Sequence, residues 1–586
     1  MARLTIDQKS ILELLSDKKN RGYLIPDYQR PYAWGEDECA TLWEDLVNFA
    51  IPNDNPEDFN PEDEYYLGPI VTFTNKEGLS EVIDGQQRLT TILLLLRAFY
   101  SHFQEAKDQK SESTKTDIKK CIWRTDFYDE PIEGELKIDS RVADDEDREV
   151  FLNILKTGET EDTASLYAKN YRYFQKTIGE YVAGRSSYAT DLPKRIMQCV
   201  ILLPIEADTQ NNALRIFSTL NNRGKPLSDS DIFKSEFYGF YSERGNDAKS
   251  DFIQRWRDLG EICANAFGES VSSPLDEVFT QYMYHLRAKD KIRSTTIQGL
   301  RNFFEKDQYA ALKNNHALDE LTTLAKFWEA VSRQSSDAFS ESVLRRLFVL
   351  NYAPNRMWTY FVSAYYLNQY ADNGDSDKHA VRVLDQNEFA DLLNQLTLLI
   401  WLNAIRGRSV AALRAPIFKA MVSIAINDKP SFSLKEYTYE QALAAFTNYG
   451  FSNRRTMTKP MLVWWALQRE GQSVPDLGMQ YDIEHIYAKK RNEVEPLEEK
   501  WLLESLGNKS ILEKRVNIRA SDYRFADKKK IYLMDKHGTQ VQELRDLAIR
   551  DDFTEEDIEQ RNRQIQEAFL NAVVDAEIIK DDYAAD

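Results

Sequence analysis

From about residue 250 to 445 the apolar residues of this chain recur at intervals of three and four, as in Phe389, Leu392, Leu393, Leu396, Leu399 and Ile400. That spacing lines up one face of a helix and cannot alternate across a strand, so the middle of the chain must fold as packed helices. Polar breaks fall at Ala371–Asp377 and Asn427–Ser433. The flanks are patterned differently, which divides the 586 residues into an α/β segment, 1–245, a mostly α-helical middle, 246–445, and a more basic α+β segment, 446–586.

In the first segment Thr5–Leu15 and Glu36–Ala50 read as amphipathic helices, and Gly22–Ile25, Tyr65–Thr74 and Glu81–Ile83 as strands, with a turn at Asn75–Gly78. Gln87–Tyr100 reads as a helix buried on most sides, followed by a polar connector over about 105–118. Helices are expected at Asp147–Lys156 and Ala164–Tyr181, and a strand within Arg195–Glu206. Two more helices, Asn211–Leu220 and Asp229–Arg244, flank a tight turn at Asn221–Pro226. The last segment carries Trp464–Trp465 in a helix and charged helices from Glu555 to Asp582.

The apolar runs Ile92–Leu96 and Leu398–Leu402 fall far short of the ~18 residues of a membrane span. Met1–Lys9 has no apolar core, so no signal peptide is expected. Cys39, Cys121, Cys199 and Cys263 lie far apart without a CxxC pair, which argues against a zinc ribbon or disulfide framework and suits a reducing cytoplasm. The net charge of −20 would repel nucleic acid if it were evenly spread. It is not: 54–64 and 143–149 are acidic, whereas Ser505–Tyr532 holds eight basic residues against Glu513, Asp522 and Asp527.

A strand, Glu81–Ile83, runs into Asp84-Gly85-Gln86-Gln87-Arg88. Glycine permits a sharp turn, and the helix that follows offers unbonded N–H groups and its positive dipole end to an anion. Arg88 adds a forked cation, and Gln86 and Gln87 add amide donors, while Asp84 would repel phosphate unless a metal or ribose hydroxyl intervened. A helix N-cap role for Asp84 accounts for the same residues equally well. Gln29 and Arg30 form a second Arg–Gln pair among aromatics, and no GxxxxGK[ST] is present.

Taken in order, IPDYQRPYAW, YYLGPIV, DGQQRLTT and FSTLNNRGKPLSDSDIFK resemble the N-terminal domain of GmrSD-type, modification-dependent (type IV) restriction enzymes over residues 10–240. The resemblance implies a ParB/sulfiredoxin-like fold that binds and hydrolyses a nucleoside triphosphate (GTP, ATP, UTP or CTP). It places Asp84, Gly85, Gln86, Gln87 and Arg88 at the nucleotide, with Gln29 and Arg30 beside them.

Downstream, Tyr481-Asp482-Ile483-Glu484-His485-Ile486-Tyr487 is followed by Leu506-Gly507-Asn508 and, nine residues later, Asn517. Phosphodiester cleavage needs a base for water and a cation on the phosphate oxygens. A histidine beside one oxygen ligand, with a second returning on a helix, supplies both, and hard oxygens suit Mg²⁺ or Mn²⁺. The spacing fits a hairpin from 483 to 512 and a helix from about 517, a ββα-metal arrangement. An ordinary satisfied histidine is the competing reading.

Residues 450–540 resemble HNH (His-Me finger) nucleases, including the C-terminal domain of the same family. The resemblance implies His485 as general base, Glu484 and Asn517 as metal ligands, and Asn508 as the residue orienting the base or its loop. The usual proline after the histidine is missing, since Ile486-Tyr487-Ala488-Lys489 follows. Lys509, Lys514, Arg515, Arg519, Lys528, Lys529 and Lys530 are expected to hold DNA phosphate. The expected activity is nucleotide-regulated, metal-dependent cleavage of modified phage DNA by a cytoplasmic, non-membrane protein that can form a homo-oligomer. The alternative is an NTPase switch or DNA-binding adaptor whose nuclease-like domain is inactive or only nicks weakly.

Overall fold

The computed structural model describes residues 4–27, 29–142, 147–162, 164–185, 189–209, 212–213, 216, 228–268, 271–371, 384–434, 437–521 and 523–580. The chain divides into two compact units, Met1–Asp258 and Leu259–Asp586. Tyr28 and residues 217–227, with the expected turn Asn221–Pro226, lie outside the described residues.

The first unit is organised by a mixed seven-stranded sheet. Its strands are β1 (Leu4–Ile6), β2 (Lys9–Ser10), β3 (Tyr23–Ile25), β4 (Tyr65–Thr74), β5 (Ser80–Asp84), β8 (Ile138–Ser140) and β9 (Val200–Ala207). A separate two-stranded sheet pairs β6 (Trp123–Thr125) with β7 (Pro131–Leu136). The main order is β1-β9-β4-β5-β3-β8, with β2 also on β9. β4 runs parallel to β9 and antiparallel to β5, and β3 lies parallel to both β5 and β8. Asn75 fixes the β4–β5 turn, its Oδ1 accepting from the N–H groups of Glu77 and Leu79.

The helix Gln86–Phe103 forms the centre of this core: Leu89, Leu94, Leu95, Leu96 and Phe99 are fully buried, together with β5 residues Val82 and Ile83. Two expectations fail here. The first half of Thr5–Leu15 is strand, pairing with β9 at Leu4–Ala207 and Lys9–Leu202, and only Ile11–Leu15 is helical. The polar connector at 105–118 is mostly the helix Gln109–Ile122, capped by Asp108 and burying Ser111, Thr114, Lys115 and Ile118.

The second unit begins in packed helices, among them Pro274–Lys289, Ala317–Ser332, Glu341–Leu350 and Gln386–Ile405, as the apolar spacing requires. It then forms an antiparallel hairpin of β10 (Tyr481–His485) and β11 (Lys509–Glu513), leading directly into the helix Lys514–Ala520. Helices Phe525–Tyr532, Gln542–Leu547 and Glu555–Asp575 follow. Among the described residues no helix is long and apolar enough to cross a membrane.

Candidate functional site

At the end of β5, Gly85 adopts φ +90°, a conformation open to glycine at little cost. Its N–H donates to Asp84 Oδ1 at 2.7 Å, and the helix begins at the next residue. Asp84 Oδ2 lies 3.7 Å from Arg88 Nη2. Burial raises the Asp84 carboxyl, opposed by Arg88, the Gly85 N–H and Arg30. The Arg88 guanidinium lies against Gly68 of β4, where a Cβ would fall 1.9 Å from Nη1. Arg88 can hold this position only because residue 68 has no side chain.

The three glutamines are employed otherwise than expected. Gln29 Nε2 donates to Ile83 O at 3.0 Å, and Gln86 Nε2 to Arg30 O at 3.2 Å. Gln87 accepts from Ala33 N–H at 2.8 Å and donates to Pro31 O at 3.2 Å. All three are buried. Their amides fasten segment 29–33 to the helix start, each spending one of its two Nε2 N–H groups there. Arg30, Asp84 and Arg88 are left as the charged groups of the turn.

In the hairpin of the second unit, His485 stands opposite Lys509 and Glu484 opposite Ser510. Successive strand residues point to opposite faces, so Glu484 shares a face with Asp482, and His485 lies on the other. His485 Nε2 lies 3.4 Å from Glu504 Oε1 without an aligned hydrogen bond, and that nitrogen is buried and otherwise unpaired. Glu504 also takes Lys489 Nζ at 2.7 Å and Lys509 Nζ at 2.8 Å. Burial works to raise the Glu504 carboxyl, but hydrogen bonds from the two lysines bring it down to about 2. Burial pushes the His485 imidazole down to about 4 against the pull of Glu504. An imidazole that is neutral near pH 7 and keeps an unspent nitrogen is equipped to accept a proton.

Asn508 is fully buried beside the turn that follows His485. Its Oδ1 accepts from Tyr487 N–H at 2.7 Å, and its Nδ2 donates to Tyr487 O at 3.1 Å and Leu503 O at 3.0 Å. Its carbonyl accepts from Ile486 N–H at 2.9 Å. The asparagine therefore fixes the backbone just beyond the histidine, where the missing proline would have shaped the turn.

On the opposite face Asn517 Nδ2 approaches Asp482 Oδ2 at 3.4 Å. Glu484 Oε1 accepts from Lys528 Nζ at 2.7 Å and from Tyr532 OH at 2.6 Å, and Lys528 also reaches His485 O at 2.5 Å. The side chains at 484 and 517, expected around one cation, thus engage different partners, and Asn517 is joined by Asp482 instead. Among the described residues no three His, Cys, Asp or Glu side chains form a metal cluster. Asp482 and Asn517 are nonetheless hard-oxygen groups, and Mg²⁺ commonly takes one or two carboxylates and leaves its other positions to water and phosphate. In kind, the pair fits the expected ion.

The hairpin is held from behind by a buried clamp. Arg561 Nη1 donates to the carbonyls of Leu506, Gly507 and Lys509 at 2.7, 2.9 and 2.6 Å. Its other nitrogens meet Glu543 at 2.8 and 2.7 Å, and Glu543 also accepts from Trp465 Nε1.

The basic residues separate by burial. Lys514, Arg515, Arg519 and Lys530 are exposed and Lys529 is half-buried. Lys509 and Lys528, expected on DNA, are fully buried or nearly so, one on Phe451 O and Glu504, the other on Glu484. Asp482, Lys489 and Glu504 are the groups that sequence reasoning missed. A period of two ahead of Glu484 could have pointed to Asp482, and nothing in the sequence pointed to Glu504.

Comparison with known proteins adds two family matches. Residues 11–238 match the GmrSD restriction endonuclease N-terminal domain, and residues 437–568 match the GmrSD restriction endonuclease C-terminal domain. An uncharacterised protein of Methanocaldococcus jannaschii is 25% identical over 262 residues, which is 41% of this chain and 43% of that protein. The chain therefore aligns with less than half the length of that curated relative.

Proposed function

Because the chain belongs to the GmrSD-type restriction endonuclease family, we propose that it is a defence endonuclease that cuts modified foreign DNA under the control of a nucleoside triphosphate. The observation that carries this reading is the placement of His485. Its imidazole is held neutral by burial, one nitrogen is uncommitted, and the backbone beyond it is pinned by Asn508. His485 takes the proton of the attacking water, the role that geometry and charge state suit. Asp482 and Asn517 would hold Mg²⁺ or Mn²⁺ once the Asn517 amide turns its Oδ1 in place of the Nδ2 that now faces Asp482, and Glu484 would join them only by leaving Lys528 and Tyr532. Such an ion would supply positive charge to the phosphoryl oxygens, and because the pair lies on the face of the hairpin away from His485 it would meet the same phosphate only around the end of β10. Exposed Lys514, Arg515, Arg519 and Lys530, with Lys529, would draw the DNA backbone in without reading sequence.

The nucleotide would dock at the Asp84–Arg88 turn, with Arg88 and Arg30 on its phosphates and Asp84 on a ribose hydroxyl or a shared cation. The test is cleavage of unmodified, methylated, glucosylated and phosphorothioated supercoiled plasmid, with each triphosphate and with Mg²⁺ or Mn²⁺. Cleavage confined to one modification class and lost in His485→Ala supports the proposal, and equal cutting by the variant rejects it. A second reading, an NTPase switch with an inactive or weakly nicking nuclease-like domain, is favoured by the engagement of Glu484 with Lys528. Triphosphate turnover with no plasmid product under any divalent ion would select it.

A further inference from the structure

Three nitrogen groups from three segments meet at one carboxylate. Lys489 Nζ, at the start of the helix Lys489–Val494, lies 2.7 Å from Glu504 Oε1. Lys509 Nζ, from β11, lies 2.8 Å from Oε2, and His485 Nε2, at the end of β10, lies 3.4 Å from Oε1. The two ammonium groups are the donor set of an anion site, with the neutral imidazole beside them as an acceptor.

Lys509 shows why the set is preformed. Its ammonium is wholly buried, and two of its three N–H groups are spent on Phe451 O and Glu504 O at 2.7 and 2.8 Å. Those carbonyls are neutral, so only the anion in front of the third N–H balances a charge that is costly to bury. The present anion is suited to leaving. The Glu504 side chain is 39% exposed and Lys489 is 50% exposed, so the carboxylate can rotate outward while its backbone carbonyl stays on Lys509. Its two oxygens serve the two lysines, while the imidazole nitrogen beside them, an acceptor in the neutral ring, has no donor from this anion and is left for the proton of a water.

We propose that Lys489 and Lys509 form the seat of the scissile phosphate beside His485, and that Glu504 fills this seat as an internal anion until DNA displaces it. The inference rests on the nuclease reading for the identity of the phosphate, but the seat itself can be tested without cleavage. An anion on the two lysines would lie next to the base, within reach of the water it must activate. With its carboxyl held near 2, Glu504 stays ionised across the working pH range, so mild acid does not empty the seat. Only a competing anion does.

The test is binding of inorganic phosphate and of a short duplex DNA to the full chain, by calorimetry, with folding checked by circular dichroism. Glu504→Gln should tighten phosphate binding on the order of tenfold, the scale of one charged contact. Adding Lys489→Ala to that variant should cancel the gain. Glu504→Asp, too short to span both lysines, should give a smaller gain and serves if the glutamine variant does not fold. Unchanged or weaker phosphate binding in folded Glu504→Gln and Glu504→Asp overturns the proposal. If phosphate binding rises as expected but no form of the protein cuts DNA, the seat stands and the nuclease reading falls. If His485→Ala abolishes cutting while the Glu504 variants bind phosphate like the parent, the nuclease stands and the seat falls.

Discussion

Lys528 donates to the Glu484 carboxylate at 2.7 Å with both side chains almost wholly removed from solvent. The pair ties β10 to the helix Phe525–Tyr532, and Tyr532 adds a second bond to the same oxygen. Removing one member of a buried pair strands the other charge. Lys528→Ala should therefore lower the stability of the second unit by about 3–5 kcal/mol in urea unfolding. A loss below about 1 kcal/mol would mean the pair is open to solvent.

Metal binding should follow Asp482 and Asn517. In Mn²⁺ titrations followed by electron paramagnetic resonance, Asp482→Asn and Asn517→Ala should each weaken binding. Glu484→Gln should change affinity little and stability more. The reverse ranking would show that Glu484 leaves Lys528 to bind the ion. Chelation with EDTA should stop plasmid cleavage, and Mg²⁺ should restore it.

Salt dependence separates exposed from buried cations. Each of Lys514→Ala and Arg515→Ala should weaken DNA binding across sequences and reduce the slope of log affinity against log salt by about 0.9. Both residues are exposed on the helix Lys514–Ala520, so folding should be little affected.

Acid should loosen the second unit in a defined order. The His485 imidazole is lowered from 6.5 to about 4, so the unfolded chain binds its proton first. The associated stability is complete above about pH 6.5 and is lost as pH falls through 4, amounting to about 3 kcal/mol. Glu504, lowered from 4.5 to about 2, acts in the same direction between those values. Urea midpoints measured from pH 7 to pH 4 should fall, and His485→Gln should flatten the upper part of that curve.

Arg88→Ala should abolish triphosphate hydrolysis. Gly68→Ala, which contacts no nucleotide in the proposed arrangement, should do nearly the same by driving a Cβ into the guanidinium. Normal turnover in the glycine variant would show that Arg88 acts from another position.

The parts of the fold legible from sequence were those in which chemistry and local geometry coincide. Val82 and Ile83 ahead of Asp84-Gly85 mark the strand, turn and helix in one short run, and the nine-residue interval between Asn508 and Asn517 fits a strand entering a helix. The local pattern of β1 and β2 suits a helix, and their partners, Ile201 to Ala207, lie far along the chain. The helix Gln109–Ile122 was hidden by its polar inner face: Lys115 is buried there with its ammonium on Gln104 O and Ala106 O. Burial of Lys509 and Lys528 was equally invisible, since a count of basic residues does not say which of them meet water. Gln29, Gln86 and Gln87 carry the residue types of a ligand site, yet their partners are backbone groups of Ile83, Arg30, Pro31 and Ala33.

The guanidinium of Arg561 holds three carbonyls at the entry to β11, although it lies some way beyond the last motif residue. A fragment trimmed to residues 450–540 would contain each motif side chain of the hairpin and still lack both the arginine and its partner Glu543. Excised in that way the motif should not keep its shape, so the smallest portable piece that holds the hairpin has to extend through the helix ending at Asp575.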